Sequence, residues 1–186
     1  ITITNGELAK LIIRDGTNGG GVEVGDISLT TDDNILLYAA GYDADDNYLG
    51  DISAAWSSTG NIDQVNVEGS SYTFTPTTAP SSGTIVVQKS GVASDATGAI
   101  SVIQGKLNFV KLENSNDGTG NQINNIEMTI DDSITIYAVG YDKDGNFLRP
   151  VSTTWSRTGS LDNTDAISKS RASATVDGMT TRRPGI

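Results

Sequence analysis

The stretch GYDADDNYLGDISAAWS, Gly41 to Ser57, returns as GYDKDGNFLRPVSTTWS from Gly140 to Ser156. The two copies lie 99 residues apart, and the register holds without a gap from Asp32/Asp131 to Asp63/Asp162, where 17 of 32 positions are identical. A duplication of this kind sets the repeating unit at about 100 residues.

Each copy carries two alternating apolar runs around a polar turn. Ile35, Leu37 and Ala39 precede the turn, and Ile52, Ala54 and Trp56 follow it; the second copy places Ile134, Ile136 and Ala138, then Val151, Thr153 and Trp155, at the same parity. A period of two points one set of side chains to one face, so these runs are predicted to be strands with one buried side. Outward positions drift, as in Leu36 against Thr135 and Ala44 against Lys143. The turns Asp43-Ala44-Asp45-Asp46-Asn47 and Asp142-Lys143-Asp144-Gly145-Asn146 consist of residues that tolerate positive φ and bond their own backbone, which predicts hairpins. Trp56 and Trp155 are the expected core anchors, each worth about 3–5 kcal/mol against alanine when buried.

The series Ala39-x-Gly41-Tyr42-Asp43-x-Asp45-x-Asn47-Tyr48-Leu49, followed by a short strand ending in Trp56-Ser57, resembles the bacterial Ig-like domains of the invasin and intimin type. These are tandem modules of surface and secreted proteins. The resemblance implies an all-β chain of two tandem immunoglobulin-like β-sandwich domains, 5–103 and 104–186, the second lacking its final two strands. Residues 1–4, Ile1-Thr2-Ile3-Thr4, match Ile100-Ser101-Val102-Ile103 at the same offset. They are expected to be the last strand of a preceding repeat or a donated strand, with Ile1 and Ile3 facing another module's core. The implied partners are neighbouring Ig-like repeats or identical subunits met head to tail. The implied location is extracellular or at the cell surface.

Composition narrows the chemistry. The 186 residues include no cysteine, so there is no disulfide framework and no thiolate metal site. The absence of histidine removes Ser-His-Asp and Cys-His arrangements together, and any catalysis would rest on carboxylates. A net charge of −11 repels phosphate backbones and anionic lipid, which argues against nucleic acid as a partner and leaves divalent cations as a fitting one. No apolar run is long enough for a membrane span or a signal peptide, and a start at Ile1 reads as a mature or excised piece.

Further strands are expected over Leu8–Arg14, Tyr72–Thr75, Thr84–Gln88 and Ala99–Ile103, then Leu107–Glu113 and Arg171–Val176. Pro76–Gly83 reads as a loop. The glycine-rich stretch Gly16–Gly21 reads as a mobile loop, since it lacks the Gly-Lys-Ser/Thr ending and following helix of a phosphate loop.

The Asp-x-Asp-x-Asn spacing matches positions 1, 3 and 5 of a calcium-binding EF loop, where alternate oxygens converge on one cation. Tyr48 and Phe147 at position 6 and Ala54 and Thr153 at position 12 exclude the EF-hand itself. Two readings stay open: a looser calcium site at Asp43, Asp45 and Asn47 with a copy at Asp142, Asp144 and Asn146, or a satisfied Asp/Asn turn. Asp32-Asp33 and Asp131-Asp132 read as turn residues. Tyr42, Tyr48, Tyr141 and Phe147 suit sugar stacking or sheet packing, and their recurrence in register favours packing. The expected function is a non-enzymatic stalk, spacer or fibre segment of an adhesin-like protein, assembling by β-strand addition. The alternatives are a glycan- or protein-binding module and an accessory segment of a secreted enzyme.

Overall fold

The alternating run around Leu37 forms a strand, β3 (Ile35–Tyr42), and its two edges organise one sheet. This computed structural model describes residues 4–129, 131–156 and 173–177. Along one edge of β3 lies β1 (Lys10–Arg14), antiparallel, with Lys10 opposite Tyr42 and Arg14 opposite Tyr38. Along the other edge lie β4 (Tyr48–Asp51) and β7 (Ser71–Phe74), one after the other. The described residues hold fifteen strands and no helix, in mixed sheets, an all-β architecture that fits a β-sandwich. The chain divides into two compact units, Ile1–Gly105 and Lys106–Ile186.

In the first unit, further sheets cover the inner face of β3. One has the order β10-β9-β5-β6, built from β5 (Ala54–Ser58), β6 (Asn66–Gly69), β9 (Ile85–Gln88) and β10 (Asp95–Ala96). Another has the order β2-β11-β8, where β11 (Ile100–Ile103) runs parallel to β2 (Ile27–Thr30) and antiparallel to β8 (Ser81–Gly83). Leu11, Ile13, Leu37 and Phe74 meet Trp56, Ile85, Val87, Ile100 and Val102 in one buried cluster. The Trp56 ring lies 6.2 Å from that of Tyr72, and its indole N–H donates to the Gly69 carbonyl at 2.9 Å, so the anchor buries no orphaned donor.

Two expectations are corrected here. The second arm of the hairpin is β4, not the run from Ile52 to Trp56. The chain leaves this sheet after Asp51, and Ala54–Ser58 join the facing one. Parity survives the crossing because both sheets point their apolar side chains into the same core. Within the expected loop Pro76–Gly83, Ser81–Gly83 form β8. These small polar residues show no apolar alternation, and their strand exists through pairing with β11.

The second unit repeats the first sheet. In it β13 (Ser133–Tyr141) carries β12 (Phe109–Glu113) on one edge and β14 (Phe147–Pro150) and β15 (Ser173–Asp177) on the other. Val176 stands opposite Ile134 where Phe74 stands opposite Ile35, an offset of 176 − 74 = 102 against 99, so the second copy has three more residues in this connection. The inner face differs in burial. Leu11 and Ile13 are 2% and 0% exposed, whereas their counterparts Val110 and Leu112 are 44% and 42% exposed. Trp155 is likewise half-buried while Trp56 is 1% exposed, so the two tryptophans are not equivalent anchors. The strands that flank Trp56 are β6 and β9; residues 165–168, the counterpart of β6, lie outside the described residues, as do Ile1 and Ile3.

Trp56→Ala is expected to destabilise the first unit by about 3–5 kcal/mol, and Trp155→Ala the second by less than about 2 kcal/mol, because only the first removes a fully packed ring. Denaturant unfolding of the two variants measures this, and acrylamide should quench Trp155 well before Trp56.

Candidate functional site

The repeated turn is built around one carboxylate. Asp43 is 2% exposed, and its Oδ1 accepts the backbone N–H of Asp45 at 3.0 Å, that of Asn47 at 2.9 Å and the Asn47 side-chain amide at 3.1 Å. Its Oδ2 accepts the Gly6 N–H and the Asn47 amide, each at 2.9 Å. Asp142 repeats the pattern with Asp144 N–H at 3.0 Å, Asn146 N–H at 2.8 Å and the Asn146 amide at 3.2 and 2.9 Å. The residue that closes the turn has a left-handed backbone in both copies, Asp46 with φ 67° and Gly145 with φ 88°. Bonds from the Asn47 amide, then from the Gly6 and Asn47 N–H groups, hold the Asp43 carboxyl at about 2, well below the usual range.

This geometry bears on the calcium reading. A cation needs carboxylate lone pairs, and those of Asp43 already face N–H donors. Asn47 and Asn146 turn amide nitrogen, not oxygen, toward the carboxylate, and Asp45 and Asp144 are exposed. Among the described residues no group of three or more acidic side chains is gathered to hold a metal. The arrangement is that of a satisfied turn.

The glycine-rich loop packs over this hairpin. Asp51 Oδ2 accepts the Thr17 hydroxyl at 2.9 Å and the Asn18 N–H at 3.0 Å, while Asp51 Oδ1 accepts the Tyr48 hydroxyl at 2.8 Å. Asp15 Oδ1 accepts the Val22 N–H at 2.7 Å, as Asn114 Oδ1 accepts the Asn121 N–H at 2.8 Å in the second copy. Gly19, with φ 69°, sits against Tyr48, where a Cβ would stand 2.9 Å from the ring; Gly118 sits against Phe147 in the same way. The loop expected to be mobile is therefore tied down by carboxylates. Burial, then the bond to Asp51, pushes the Tyr48 phenol up to about 12.

Tyr42 and Tyr141 are buried and meet Tyr48 and Phe147 edge to face at 5.8 and 6.2 Å, so the two tyrosines present no face to a sugar ring. Asp33 and Asp132 are turn residues: each accepts the N–H and the hydroxyl of a threonine three residues earlier, Thr30 and Thr129, at 2.7 to 2.9 Å. A surface depression lined by Ser53, Ala54, Ala55, Glu68, Gln88, Lys89 and Ser90 holds one carboxylate, short of the pair a glycosidase uses.

One constellation was not anticipated. Glu113 ends β12 only 2% exposed, accepts the Tyr141 hydroxyl at 2.6 Å through Oε1, and leaves Oε2 without a hydrogen-bond partner among the described residues. Burial, then this bond, pushes the Tyr141 phenol up to about 12. Lys111 Nζ stands 4.5 Å from the centroid of the Tyr141 ring, which stacks on Phe109 at 5.6 Å. The first unit has Arg14 in place of Glu113, its guanidinium 5.8 Å from the Tyr42 centroid and bonded to the Gly21 carbonyl. Glu113 shares the parity of Phe109 and Lys111, opposite to that of Val110 and Leu112, so no local signal in the run FVKLE marked it for burial. Comparison with known protein families, with curated protein sequences and with solved structures finds no match.

Asp43→Ala is expected to lower the melting temperature by several degrees, equally in calcium and in chelator, and calcium should leave the melting curve of the unaltered chain unchanged. Because the folded carboxyl sits at about 2 against an ordinary 3.8, its contribution is full above about pH 4 and fades as pH falls toward 2. Melting in that window should show a shallower acid loss for Asp43→Ala.

Proposed function

We propose that this chain is a non-enzymatic structural segment made of bacterial Ig-like β-sandwich modules, a stalk, spacer or fibre piece of an extracellular or cell-surface adhesin-like protein. The observation that supports it is which side chains recur. Those common to both units shape the chain: Asp43 and Asp142 in the turn, Asp33 and Asp132 at the strand entry, Gly19 and Gly118 against an aromatic ring. Of the carboxylates that recur, Asp43/Asp142 and Asp33/Asp132 are occupied by backbone N–H groups, while other charged positions differ, Arg14 against Glu113 and Asp51 against Pro150. A duplicated active site would retain its reacting groups, whereas a duplicated spacer needs only its folding groups.

A protein-binding reading draws on one feature, the exposed apolar face of Val110 and Leu112 in the second unit. Assays against glycosides, esters and peptides are expected to give no turnover, since the chain has neither histidine nor cysteine. A rate that disappears on changing a single Asp or Glu overturns the structural reading.

A further inference from the structure

Tension along a chain acts differently on parallel and antiparallel strands. Of two paired strands, the earlier is drawn by its N-terminal end and the later by its C-terminal end. In an antiparallel pair those ends lie together, so the ladder unzips one bond at a time; in a parallel pair they lie at opposite ends, so the bonds are sheared together. Among the described residues of the first unit two pairings run parallel, and they hold the strand that enters the unit, β1, and the strand that leaves it, β11. The pairs β1–β3, β3–β4, β3–β7, β5–β6, β5–β9, β9–β10 and β8–β11 are antiparallel.

On the entry side Lys10 bridges Ala93 in parallel. The Ala93 N–H donates to the Ala9 carbonyl and the Leu11 N–H to the Ala93 carbonyl, each at 3.0 Å, and Asp95 Oδ2 extends the pair by accepting the Ile13 N–H at 2.6 Å. On the exit side β11 lies along β2, with Ile100 opposite Ile27 and Ile103 opposite Thr30. Side chains prolong this pair at both ends: Asp26 Oδ1 accepts the Ala99 N–H at 2.7 Å, and Thr31 Oγ1 accepts the Gly105 N–H at 2.9 Å. Gly98 and Gly105 permit the approach, since a Cβ at the first would collide with Asp26 and one at the second with Thr31 and Asp32. We propose that the first unit is a tension-bearing module: residues 9–13 with 93–95, and 99–105 with 26–31, are sheared when the chain is drawn from both ends, and they set the force at which the unit opens. This deepens the structural-segment reading and rests on it, because a stalk or spacer is stretched end to end.

Single-molecule pulling on the full 186-residue chain tests this, with handles on introduced cysteines, which the sequence otherwise lacks. Thr4→Cys with Lys106→Cys draws the first unit from its two ends, whereas Ser53→Cys with Ser70→Cys unzips the antiparallel pair β5–β6 from its open end. At one pulling speed the end-to-end geometry should need a several-fold higher force, since forced opening follows the unfolding rate along the direction pulled. The end-to-end rupture should release about 3.3–3.6 Å of chain per residue, which shows that each variant was folded before it opened. Asp26→Ala and Asp95→Ala each remove one acceptor from a parallel pair, and each should lower the end-to-end force while leaving the β5–β6 force unchanged. Equal forces in the two geometries overturn the proposal. So do substitutions that leave the end-to-end force where it was, or that lower both forces alike, as a general loss of stability would. Those results leave the structural-segment reading standing; catalytic turnover would end that reading without altering the forces.

Discussion

A carboxylate removed from water must be met by donors, and Asp43 meets five hydrogen bonds where it stands. That requirement shapes its surroundings. The N–H groups of Asp45 and Asn47 can reach it only if the chain turns back at once, so the hairpin between β3 and β4 follows, with a bulge at Gly41/Tyr42. The Gly6 N–H ties the segment before β1 to the same point. Gly41 allows the close approach that results, since a Cβ there would collide with Ile52 and Leu8, as one at Gly140 would stand 2.6 Å from both Leu107 and Val151. Gly, Tyr and Asp therefore act together: the glycine admits neighbours, the tyrosine covers the hairpin, and the aspartate closes it.

Past the turn, the chain must leave one sheet and enter the next. Ile52 N–H still donates to the Ala39 carbonyl at 2.8 Å, and Val151 to Ala138 at the same distance, so both units steer the exit alike. In the first unit that exit delivers Trp56 between β6 and β9. In the second, Trp155 follows the same path to a half-buried place. Identical local steering yields different burial because burial depends on what lies across the core, and the core is a property of facing layers.

The polar interior follows the same logic. Arg14 and Glu113 occupy one position of the repeat, each next to the repeated tyrosine, yet one offers donors and the other acceptors. Tyr42 and Tyr141 accommodate both, through a ring face near the guanidinium and a hydroxyl donated to the carboxylate. A site that accepts opposite charges in its two copies belongs to packing more than to chemistry.

Much was readable from the residues. The 99-residue duplication, the alternation of Ile35, Leu37 and Ala39, and the Asp-x-Asp-x-Asn turn are local signals, and β3, β13 and both turns stand where they place them, though the strand after each turn does not. The same locality limits them. Nothing in Ser81–Gly83 announces a strand, because its order comes from β11, seventeen or more residues away. Nothing in Asp-x-Asp-x-Asn separates a cation site from a turn, because the choice lies in whether N–H groups or a metal face the oxygens. The sequence by itself determined strand parity, turn chemistry and the repeat, since each depends on neighbours along the chain. Only the tertiary structure decided that Tyr48–Asp51 and Ala54–Ser58 belong to two different sheets, that Glu113 is buried, and that Val110 and Leu112 are exposed where Leu11 and Ile13 are covered, since the water lost from a sheet face depends on the layer that packs across it.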